Sequence, residues 1–379
     1  MTDTLKSLKK NKIILWSPML SNVGTVKAVI KTAECLSKNN EVFILNIFSQ
    51  KNLILSHNKN IKIKNFFTLN NIPQTGFLSK FIIYFFSFLS IPQLISLVRK
   101  NNINLIITHL VGIVPLMLKF IIKDLKIFCS IQGFPKMNKI RKFLWKIFYN
   151  KSDLIITMSD MSKNLISPLI KEKSKIIKIN NPIISYELIN KSKEEIENEY
   201  KEIFNKKNMI SIGRLTKQKN HIEILMAFKD FQKKFDNINL VIIGEGELKN
   251  KIDKIINQYD IKNVYLLGYK NNPFKYLSNS DLYVSSSLWE DPGHTLIESA
   301  FLGVPILTSD CPAAPKEIFM NNNNCLQYKT RNIDSLKLAM IKFFSENNKN
   351  QINKNITNAR KLALKFTKKE FKKKFFNYI

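Results

Sequence analysis

The sequence has few of the residues on which disulfide-rich and metal-binding proteins depend. Among its 379 residues are four cysteines, four histidines and ten glycines. The cysteines lie far apart without a C-x-x-C pair, which argues against a disulfide framework or a cysteine zinc site and favours a reducing compartment. No Asp-x-Asp motif follows a predicted strand and no histidine or aspartate cluster has ligand spacing, so we expect neither a metal nor another cofactor. We also expect no cleavable signal peptide.

Acidic residues are scarce as well. Sixty lysines and arginines face 29 aspartates and glutamates, which gives a net charge of +31. This excess favours an anionic partner such as nucleic acid, an acidic membrane surface or a phosphorylated ligand, although a general bias towards Lys, Asn and Ile would also produce it. Arginine is rare in this lysine-rich background, so its five positions are informative: Arg99, Arg141, Arg214, Arg331 and Arg360.

Two series of short β-branched runs alternate with longer amphipathic runs, as in doubly wound parallel α/β sheets. The first predicts strands over 12–18, 41–48, 104–110, 126–133, 153–159 and 175–182, and helices over 26–38 and 140–150. After a charged, helix-prone connector (187–208), the second predicts strands over 209–215, 240–246, 264–269, 282–287 and 305–310, then helices from about 333. We expect two Rossmann-like domains that meet near Asn181–Pro182, with ligands at the carboxyl ends of the strands.

The uncharged run 81–98 has three interpretations. It approaches the lower length limit for a membrane span, but Pro92 interrupts it and predicted strands flank it. A span, a buried helix and a membrane-facing helical hairpin therefore remain open. The basic stretch over 136–148 predicts a helix with cations on one face and aromatic residues on the other, which suits an anionic membrane surface.

The densest group of candidate site residues lies in SSSLWEDPGHTLIESAFLGVPILTSD, residues 285–310. A helix is predicted from about 293 to 303. The amides of Gly293, His294 and Thr295 at its start would form an anion site suited to a diphosphate. Glu290 and Glu298 lie on either side of this turn, and their carboxylates can accept hydrogen bonds from sugar hydroxyls.

A second element, SIGRLTKQKN (211–220), places two cations after a predicted strand. Gly213 turns the chain, and Arg214 and Lys219 follow, five residues apart. Such cations can clamp phosphate oxygens, and arginine adds a bidentate fork. Gly244, in IIGEG, ends another strand in a tight turn, which is common and often only structural.

Two residues of the first domain are weaker candidates. Gly24, in SNVGT between a strand and a helix, either lets the backbone approach a ligand or serves only as a turn. His109 ends the run NLIITH and should lie at the carboxyl edge of the sheet, as either a functional or a structural histidine.

These motifs, in this order, resemble those of retaining, nucleotide-sugar-dependent glycosyltransferases of family four, which have the GT-B fold. GRLTKQKN, IIGEGELK, LLGYKNN and Glu-x7-Glu followed by GVPILTSD carry the resemblance, which is strong from about 209 to 320. Over 1–185 it is weaker and rests on SNVGT, ITHLVG, DLIITMS and INNP. It implies two Rossmann-like doubly wound domains facing a central cleft. Residues 1–185 would bind the acceptor and 186–360 the donor, while a helix over 361–379 crosses back to the first domain.

The resemblance also implies roles for single residues. Arg214 and Lys219 bind the donor diphosphate, Glu290 holds the transferred sugar and Glu298 holds the ribose hydroxyls. No metal is required. The other donor-binding residues are Gly213, Gly244, Gly293, His294 and Thr295.

The sequence departs from the family pattern at three places. The usual E-G-F-G is E-D-P-G here, so Asp291 and Pro292 reshape the sugar side. Many members carry a histidine where this chain has Gln132, which cannot take a proton. A front-face mechanism, in which the leaving phosphate helps to deprotonate the acceptor, tolerates this change. SNVGT lacks the usual glycine pair. The acceptor-side candidates are Gly24, His109 and Gln132.

We therefore expect a retaining, metal-independent hexosyltransferase acting on a glycan or lipid-linked acceptor in cell-surface polysaccharide or lipopolysaccharide synthesis. Its partners would be a nucleotide-diphosphate sugar, that acceptor and an anionic membrane, with the protein peripheral on the cytoplasmic face. One alternative is a nucleotide-sugar 2-epimerase of the same fold, which would need acid and base residues. The other is a basic nucleic-acid-binding protein, but we find no recognisable binding module and expect no nucleic acid.

Overall fold

The chain packs as two α/β units. The computed structural model describes residues 11–18, 24–48, 58–67, 76–135, 137–313, 315–319, 324–345 and 349–379. Unit 1 is drawn from Met1–Met158, Ser162–Pro182 and Lys374–Ile379, and unit 2 from Ser159–Met161 and Ile183–Lys373.

Unit 1 contains a seven-stranded parallel sheet in the order β3-β2-β1-β4-β5-β6-β7. Its strands are β1 (Lys12–Trp16), β2 (Glu41–Phe48), β3 (Ile61–Phe67), β4 (Leu105–Thr108), β5 (Lys126–Ser130), β6 (Leu154–Thr157) and β7 (Ile176–Lys178). The helices between them are α1 (Gly24–Leu36), α2 (Gly76–Leu89), α3 (Ile91–Asn101), α4 (Ile113–Met117), α5 (Lys139–Phe148) and α6 (Asp160–Ile166).

The centre of this sheet is apolar on both faces, because helices cover both sides of a parallel sheet. Ile13, Ile14, Leu15 and Trp16 of β1 are all fully buried. The strand order reverses between β1 and β4, and the carboxyl ends of these two strands are adjacent. The amide of His109 donates to the Trp16 carbonyl at 3.0 Å. His109 therefore lies at the switch point of the sheet, where α/β folds bind ligands.

Unit 2 contains a six-stranded parallel sheet in the order β10-β9-β8-β11-β12-β13. Its strands are β8 (Asn208–Ile212), β9 (Asn239–Ile243), β10 (Val264–Leu266), β11 (Leu282–Ser285), β12 (Ile306–Ser309) and β13 (Leu326–Tyr328). Its helices are α7 (Glu187–Ser192), α8 (Lys201–Asn205), α9 (His221–Phe231), α10 (Lys249–Gln258), α11 (Phe274–Ser278), α12 (His294–Leu302), α13 (Ile333–Ser345), α14 (Lys349–Ala363) and α15 (Lys368–Phe375).

Two apolar cores cover the two faces of the unit 2 sheet. Met209 of β8 packs in one core and Ile210 in the other, as the alternation of side chains along a strand requires. The strand order reverses between β8 and β11. The residues that follow these two strands are therefore the first place to look for a ligand site.

Every predicted strand corresponds to an observed one, and the two parallel sheets confirm the doubly wound architecture. Strands β3 and β13 were not predicted. The C-terminal helix was predicted to cross back over residues 361–379, and of these residues Lys374–Ile379 belong to unit 1. There the Phe375 ring meets the Phe128 ring of β5 edge-on, with centroids 6.1 Å apart.

The run 81–98 forms the end of α2 and most of α3. Within the described parts of the chain, no single helix is long and apolar enough to cross a membrane, whereas the pair Phe81–Leu89 and Ile91–Asn101, bent by 48°, passes by length and composition alone. The buried-helix interpretation is wrong for α2, because Phe81, Tyr84, Phe85 and Phe88 are exposed. Helix α5 does not keep its cations and its aromatic residues on opposite faces, as was predicted. Trp145 is buried, whereas Phe143 is exposed beside the lysines.

All four cysteines are buried and are thiols rather than halves of a disulfide. Cys35 and Cys129 lie in unit 1, and Cys311 and Cys325 lie in unit 2. Burial raises the pKa of the Cys129, Cys311 and Cys325 thiols to about 12.

Candidate functional site

An ion pair joins the two loops that follow β8 and β11 in unit 2. The Lys219 ammonium contacts the Glu290 carboxylate, and only 20% of the lysine side chain and 8% of the glutamate side chain are exposed. Two predicted binding residues are therefore in contact at the switch point of the sheet: Lys219, predicted to bind the diphosphate, and Glu290, predicted to bind the sugar. A lysine ammonium has three donors, so Lys219 can hold Glu290 and still donate to a phosphate.

Hydrogen bonds between the same two loops hold the pair in place. Gln218 Nε2 donates to the Trp289 carbonyl at 2.9 Å, and the Leu288 amide donates to the Gln218 carbonyl at 2.8 Å. Ser286 Oγ lies 2.8 Å from the Lys219 carbonyl oxygen. Because the backbone on either side of the ion pair is fixed, the pair is preorganised for a ligand.

Ser287 supplies a second contact to Glu290 that the sequence did not predict. Its buried hydroxyl donates to Glu290 Oε1 at 2.7 Å. The Ser287 carbonyl in turn accepts from Ser309 Oγ of β12, at 2.7 Å. The only sequence signal is the run of three serines at the end of a predicted strand, where short hydroxyl side chains can bond to nearby loops.

Helix α12 begins at His294, directly after Gly293, and its first amides are those predicted to bind an anion. Gly293 has φ +79°, a left-handed conformation that favours glycine. His294 and Thr295 are partly exposed, whereas Glu298, one turn into the helix, is buried. The helix dipole places partial positive charge at this end, on the same loop as Glu290.

Tyr283 of β11 lies close to both predicted carboxylates. Burial raises the pKa of its hydroxyl first, and the charges of Glu290 and Glu298 raise it further. The side chains of Thr295 and Ser285 act to lower the pKa of this hydroxyl. Tyr283 is therefore a neutral hydroxyl beside two carboxylates, a position that the sequence alone did not single out.

The turns after β8 and β9 approach each other too closely for a side chain. Gly244 has φ +147°, and a Cβ atom there would lie 1.9 Å from the Gly213 carbonyl oxygen. The Gly213 amide donates to the Ile243 carbonyl at 2.9 Å. Gly244 is therefore required for packing, which is the structural interpretation left open above. Arg214 follows this junction and is exposed to solvent.

The E-D-P-G departure puts a third buried carboxylate next to Glu290. The Asp291–Pro292 peptide bond is cis, and Asp291 is buried. Its Oδ2 accepts a hydrogen bond from Ser159 Oγ at 3.0 Å. Ser159 belongs to unit 2, together with Asp160 and Met161, the first two residues of α6. The amides of Asp160 and Met161 donate to the Glu317 carboxylate at 2.8 and 2.6 Å.

Arg360 of α14 binds the other end of α12. Its Nε donates to the Phe301 carbonyl at 3.0 Å and its Nη2 to the Leu302 carbonyl at 3.3 Å. A cation at a helix C-terminus satisfies carbonyls that have no partner within the helix and complements the dipole. Arg360 was noted in the sequence because arginine is rare there, but nothing in the sequence indicated that it would bind the last carbonyls of α12.

The three acceptor-side candidates lie in unit 1. Gly24 is the exposed first residue of α1. His109 is buried, and burial lowers its pKa to about 4. Its Nδ1 has no hydrogen-bond partner within the described ranges. Gln132 follows β5 and pairs with the Asn181 side-chain amide, with N–O distances of 2.8 and 3.3 Å. The roles of all three stay predictions.

No three His, Cys, Asp or Glu side chains converge as metal ligands would in the parts of the chain that the structure describes.

Comparison with known proteins gives a fold for the chain and a family match for part of it. Residues 192–362 match the family of glycosyl transferases group 1. An uncharacterized glycosyltransferase of Methanocaldococcus jannaschii is 35% identical over 248 residues, 60% of each chain. The N-acetylgalactosamine-N,N'-diacetylbacillosaminyl-diphospho-undecaprenol 4-alpha-N-acetylgalactosaminyltransferase of Campylobacter jejuni is 29% identical over 204 residues, 52% of each chain. The match therefore spans about half to 60% of these relatives' length.

Solved structures resemble the chain over nearly its whole length. A glycosyltransferase of Rickettsia africae has a TM-score of 0.77 at 16% identity, covering 98% of each chain. Anabaena HepE in complex with UDP and glucose has a TM-score of 0.75 at 14% identity, covering 97% of this chain and 98% of its own. The chain has the GT-B fold, as predicted. The segment that matches glycosyl transferases group 1 lies in its second unit and includes Arg214, Lys219, Glu290 and Glu298.

Proposed function

We propose that the protein is a retaining glycosyltransferase that moves a sugar from a nucleotide-diphosphate sugar to a glycan or lipid-linked acceptor. The observation that carries this proposal is the Lys219–Glu290 pair at the switch point of the unit 2 sheet. A cation for phosphate and a carboxylate for sugar hydroxyls are there held in contact, within the segment that matches group 1 glycosyl transferases.

In the proposed reaction, the bond between the anomeric carbon and the diphosphate breaks, and a bond to the acceptor oxygen forms on the same face. The acceptor proton passes to the leaving phosphate. Lys219 and Arg214 stabilise the charge that develops on the diphosphate, aided by the amides at the start of α12. Glu290 orients the sugar, and Glu298 accepts hydrogen bonds from the ribose.

One relative supports the proposed acceptor class. The Campylobacter jejuni relative is named for a diphospho-undecaprenol-linked sugar acceptor. By analogy, we assign this chain to cell-surface polysaccharide or lipopolysaccharide synthesis, acting on the cytoplasmic face of the membrane. The relatives named above are glycosyltransferases, which does not favour the 2-epimerase.

The test is release of nucleoside diphosphate from a panel of nucleotide sugars, with and without lipid-linked glycan acceptors. We expect turnover with one donor and retention of anomeric configuration in the product. Inversion of the anomeric centre would overturn the retaining mechanism. No release from any donor with any acceptor would overturn the proposal.

We further propose that transfer needs no metal, because Arg214, Lys219 and the α12 amides supply the positive charge. Treatment with EDTA should leave the rate of diphosphate release within about twofold of the untreated rate, since the charge that stabilises the diphosphate is built into the chain. Complete loss of activity that manganese restores would contradict this.

A further inference from the structure

An exposed apolar stripe runs along α2 in unit 1. It consists of Phe81, Tyr84, Phe85 and Phe88, which recur at the spacing of one helix face. Phe81 is 61% exposed and Phe85 is 50% exposed, and their rings stack with centroids 6.2 Å apart. Single exposed apolar residues are common on protein surfaces, but an aromatic row on one face marks an interaction surface.

Helix α5 presents a second exposed face, which mixes apolar and basic residues. Ile140 is 72% exposed and Phe143 is 64% exposed, and Ile147 continues their stripe. The exposed cations form a parallel stripe one residue away, at Lys139, Lys142 and Lys146. A helix with adjacent apolar and basic stripes can insert its apolar side chains between lipids while its lysines reach the headgroups.

Helices α2 and α5 pack against the same apolar core of unit 1, through Ile82 and Phe86 of α2 and Trp145 of α5. Tyr149 belongs to this core as well. Its ring stacks on Trp145 of α5, with centroids 4.4 Å apart. Burial is the main cause that raises the pKa of Tyr149. The charges of Tyr84 of α2 and Arg141 of α5 also act on this pKa. The α2 stripe and the α5 face therefore belong to one region of unit 1.

The charge of this region indicates what it binds. From residue 81 to residue 152, the sequence has eleven lysines and arginines and a single carboxylate, Asp124. A surface with this charge repels a second copy of itself. Phosphates of a nucleic acid would match the cations but leave the uncharged α2 stripe without a partner. A bilayer with anionic headgroups complements both the cations and the aromatic residues.

We propose that the α2 stripe and the α5 face form a docking surface for an anionic phospholipid bilayer. This inference goes beyond the proposed reaction, because it concerns unit 1 alone and its test does not measure transfer. The apolar side chains enter the interface, and the lysines bind headgroups by electrostatic attraction that salt screens.

Cosedimentation of the full chain with vesicles tests the proposal. We expect binding to vesicles of phosphatidylcholine and phosphatidylglycerol at low salt, weaker binding at high salt, and little binding to phosphatidylcholine alone. The triple variant Lys139→Glu/Lys142→Glu/Lys146→Glu should bind at least about tenfold more weakly, since each cation near an anionic surface adds to the attraction. Phe85→Ser/Phe143→Ser should also weaken binding, including the part that persists in salt.

Matched variants of unit 2 control for charge and polarity. Lys249→Glu/Lys251→Glu/Lys254→Glu changes three exposed lysines of α10, and Ile333→Ser/Leu338→Ser changes two exposed apolar residues of α13. Both should bind as the unaltered chain does. Circular dichroism checks that each variant folds.

Four outcomes would overturn the proposal. They are equal binding to both kinds of vesicle, no binding at low salt, equal losses in the unit 2 controls, and binding that the unit 1 variants leave unchanged. Self-association abolished by Phe85→Ser/Phe143→Ser, without vesicle binding, would assign the surface to a second copy. Single-stranded RNA binding lost only in the unit 1 charge variant, without vesicle binding, would assign it to nucleic acid.

Discussion

At the scale of single residues, Lys219 has two proposed partners of negative charge. One is the Glu290 carboxylate, which it contacts and which is itself predicted to bind the sugar, and the other is the donor diphosphate. Lys219→Ala removes the charge nearest the leaving diphosphate and leaves Glu290 without its cation. We expect nucleoside diphosphate release to fall by about a hundredfold or more, as for other groups that stabilise charge in a transition state. Arg214→Ala should have a similar effect, and Arg214→Lys should restore little because the bidentate fork is lost.

Lys217→Ala is the control for this prediction, since Lys217 lies in the same loop and is exposed. Steady-state kinetics should show it unchanged. If Lys219→Ala and Arg214→Ala also stayed within a few-fold of the unaltered chain, neither residue would bind the diphosphate.

The sequence predicted both residues of the ion pair, Lys219 and Glu290, but not Ser287, whose hydroxyl binds Glu290. Lys219 was predicted as one of two cations, with Arg214, in the loop after a strand, and Glu290 as one of two carboxylates, with Glu298, around the start of a helix, where ligands bind. Ser287 does not stand out, since its role depends on the Glu290 side chain folding back three residues. That geometry exists only once the loop after β11 has packed.

At the scale of elements, α12 depends on partners at both of its ends. Its start lies in the candidate site, and its last carbonyls accept from Arg360 of α14. Arg360→Ala should lower the free energy of unfolding by about 1 kcal/mol, because carbonyls at a helix end lose a charged donor. Arg360→Lys should recover part of this, since lysine keeps the charge but cannot donate to both carbonyls in the same way. Urea unfolding measures the difference.

The adjacent Lys361 gives a matched control, because it is also exposed on α14. Lys361→Ala should leave the urea midpoint unchanged. Equal midpoints for Lys361→Ala and Arg360→Ala would show that the α12 contact contributes nothing to stability.

The buried strands and two of the four edge strands, β7 and β10, were predicted from sequence, whereas the edge strands β3 and β13 were not. β1 and β9 are continuous apolar runs, which indicate a sheet covered on both faces. β3 is an edge strand with exposed lysines at alternate positions, and β13 has only three residues, so neither produces such a run. The register of α5 was also wrong, because a short helix rich in both lysine and aromatic residues fits two opposite faces and packing chooses between them.

At the scale of the whole molecule, each unit contains a buried histidine that folds in its neutral form. Burial lowers the pKa of His109 in unit 1 to about 4 and is the main cause that lowers that of His221 in unit 2 to about 3. Both values lie below the ordinary 6.5, so below pH 6.5 the unfolded chain binds protons that the folded chain does not. Stability should therefore fall as the pH drops from 6.5 towards 4, and the histidines should contribute no slope above pH 6.5.

Urea unfolding at pH 7.5 and pH 5 measures this slope, with His109→Gln and His221→Gln as variants. In each variant, the free energy of unfolding of the altered unit should depend less steeply on pH, by up to about 1.4 kcal/mol per pH unit, which is the linkage expected for one proton. His294→Gln is the control, because His294 is partly exposed at the start of α12. Slopes that match the unaltered chain in both variants would mean that other groups cause the pH dependence.

The buried cysteines make it possible to follow the opening of each unit separately. The thiolate is the form that attacks a thiol-specific reagent, and at neutral pH almost no thiolate exists at Cys129, Cys311 or Cys325 while they remain buried. Labelling therefore requires local or global opening, and its rate reports the population of open molecules when reclosing is fast. Since two cysteines lie in each unit, peptide mapping of the labelled sites yields two independent opening free energies from one intact chain.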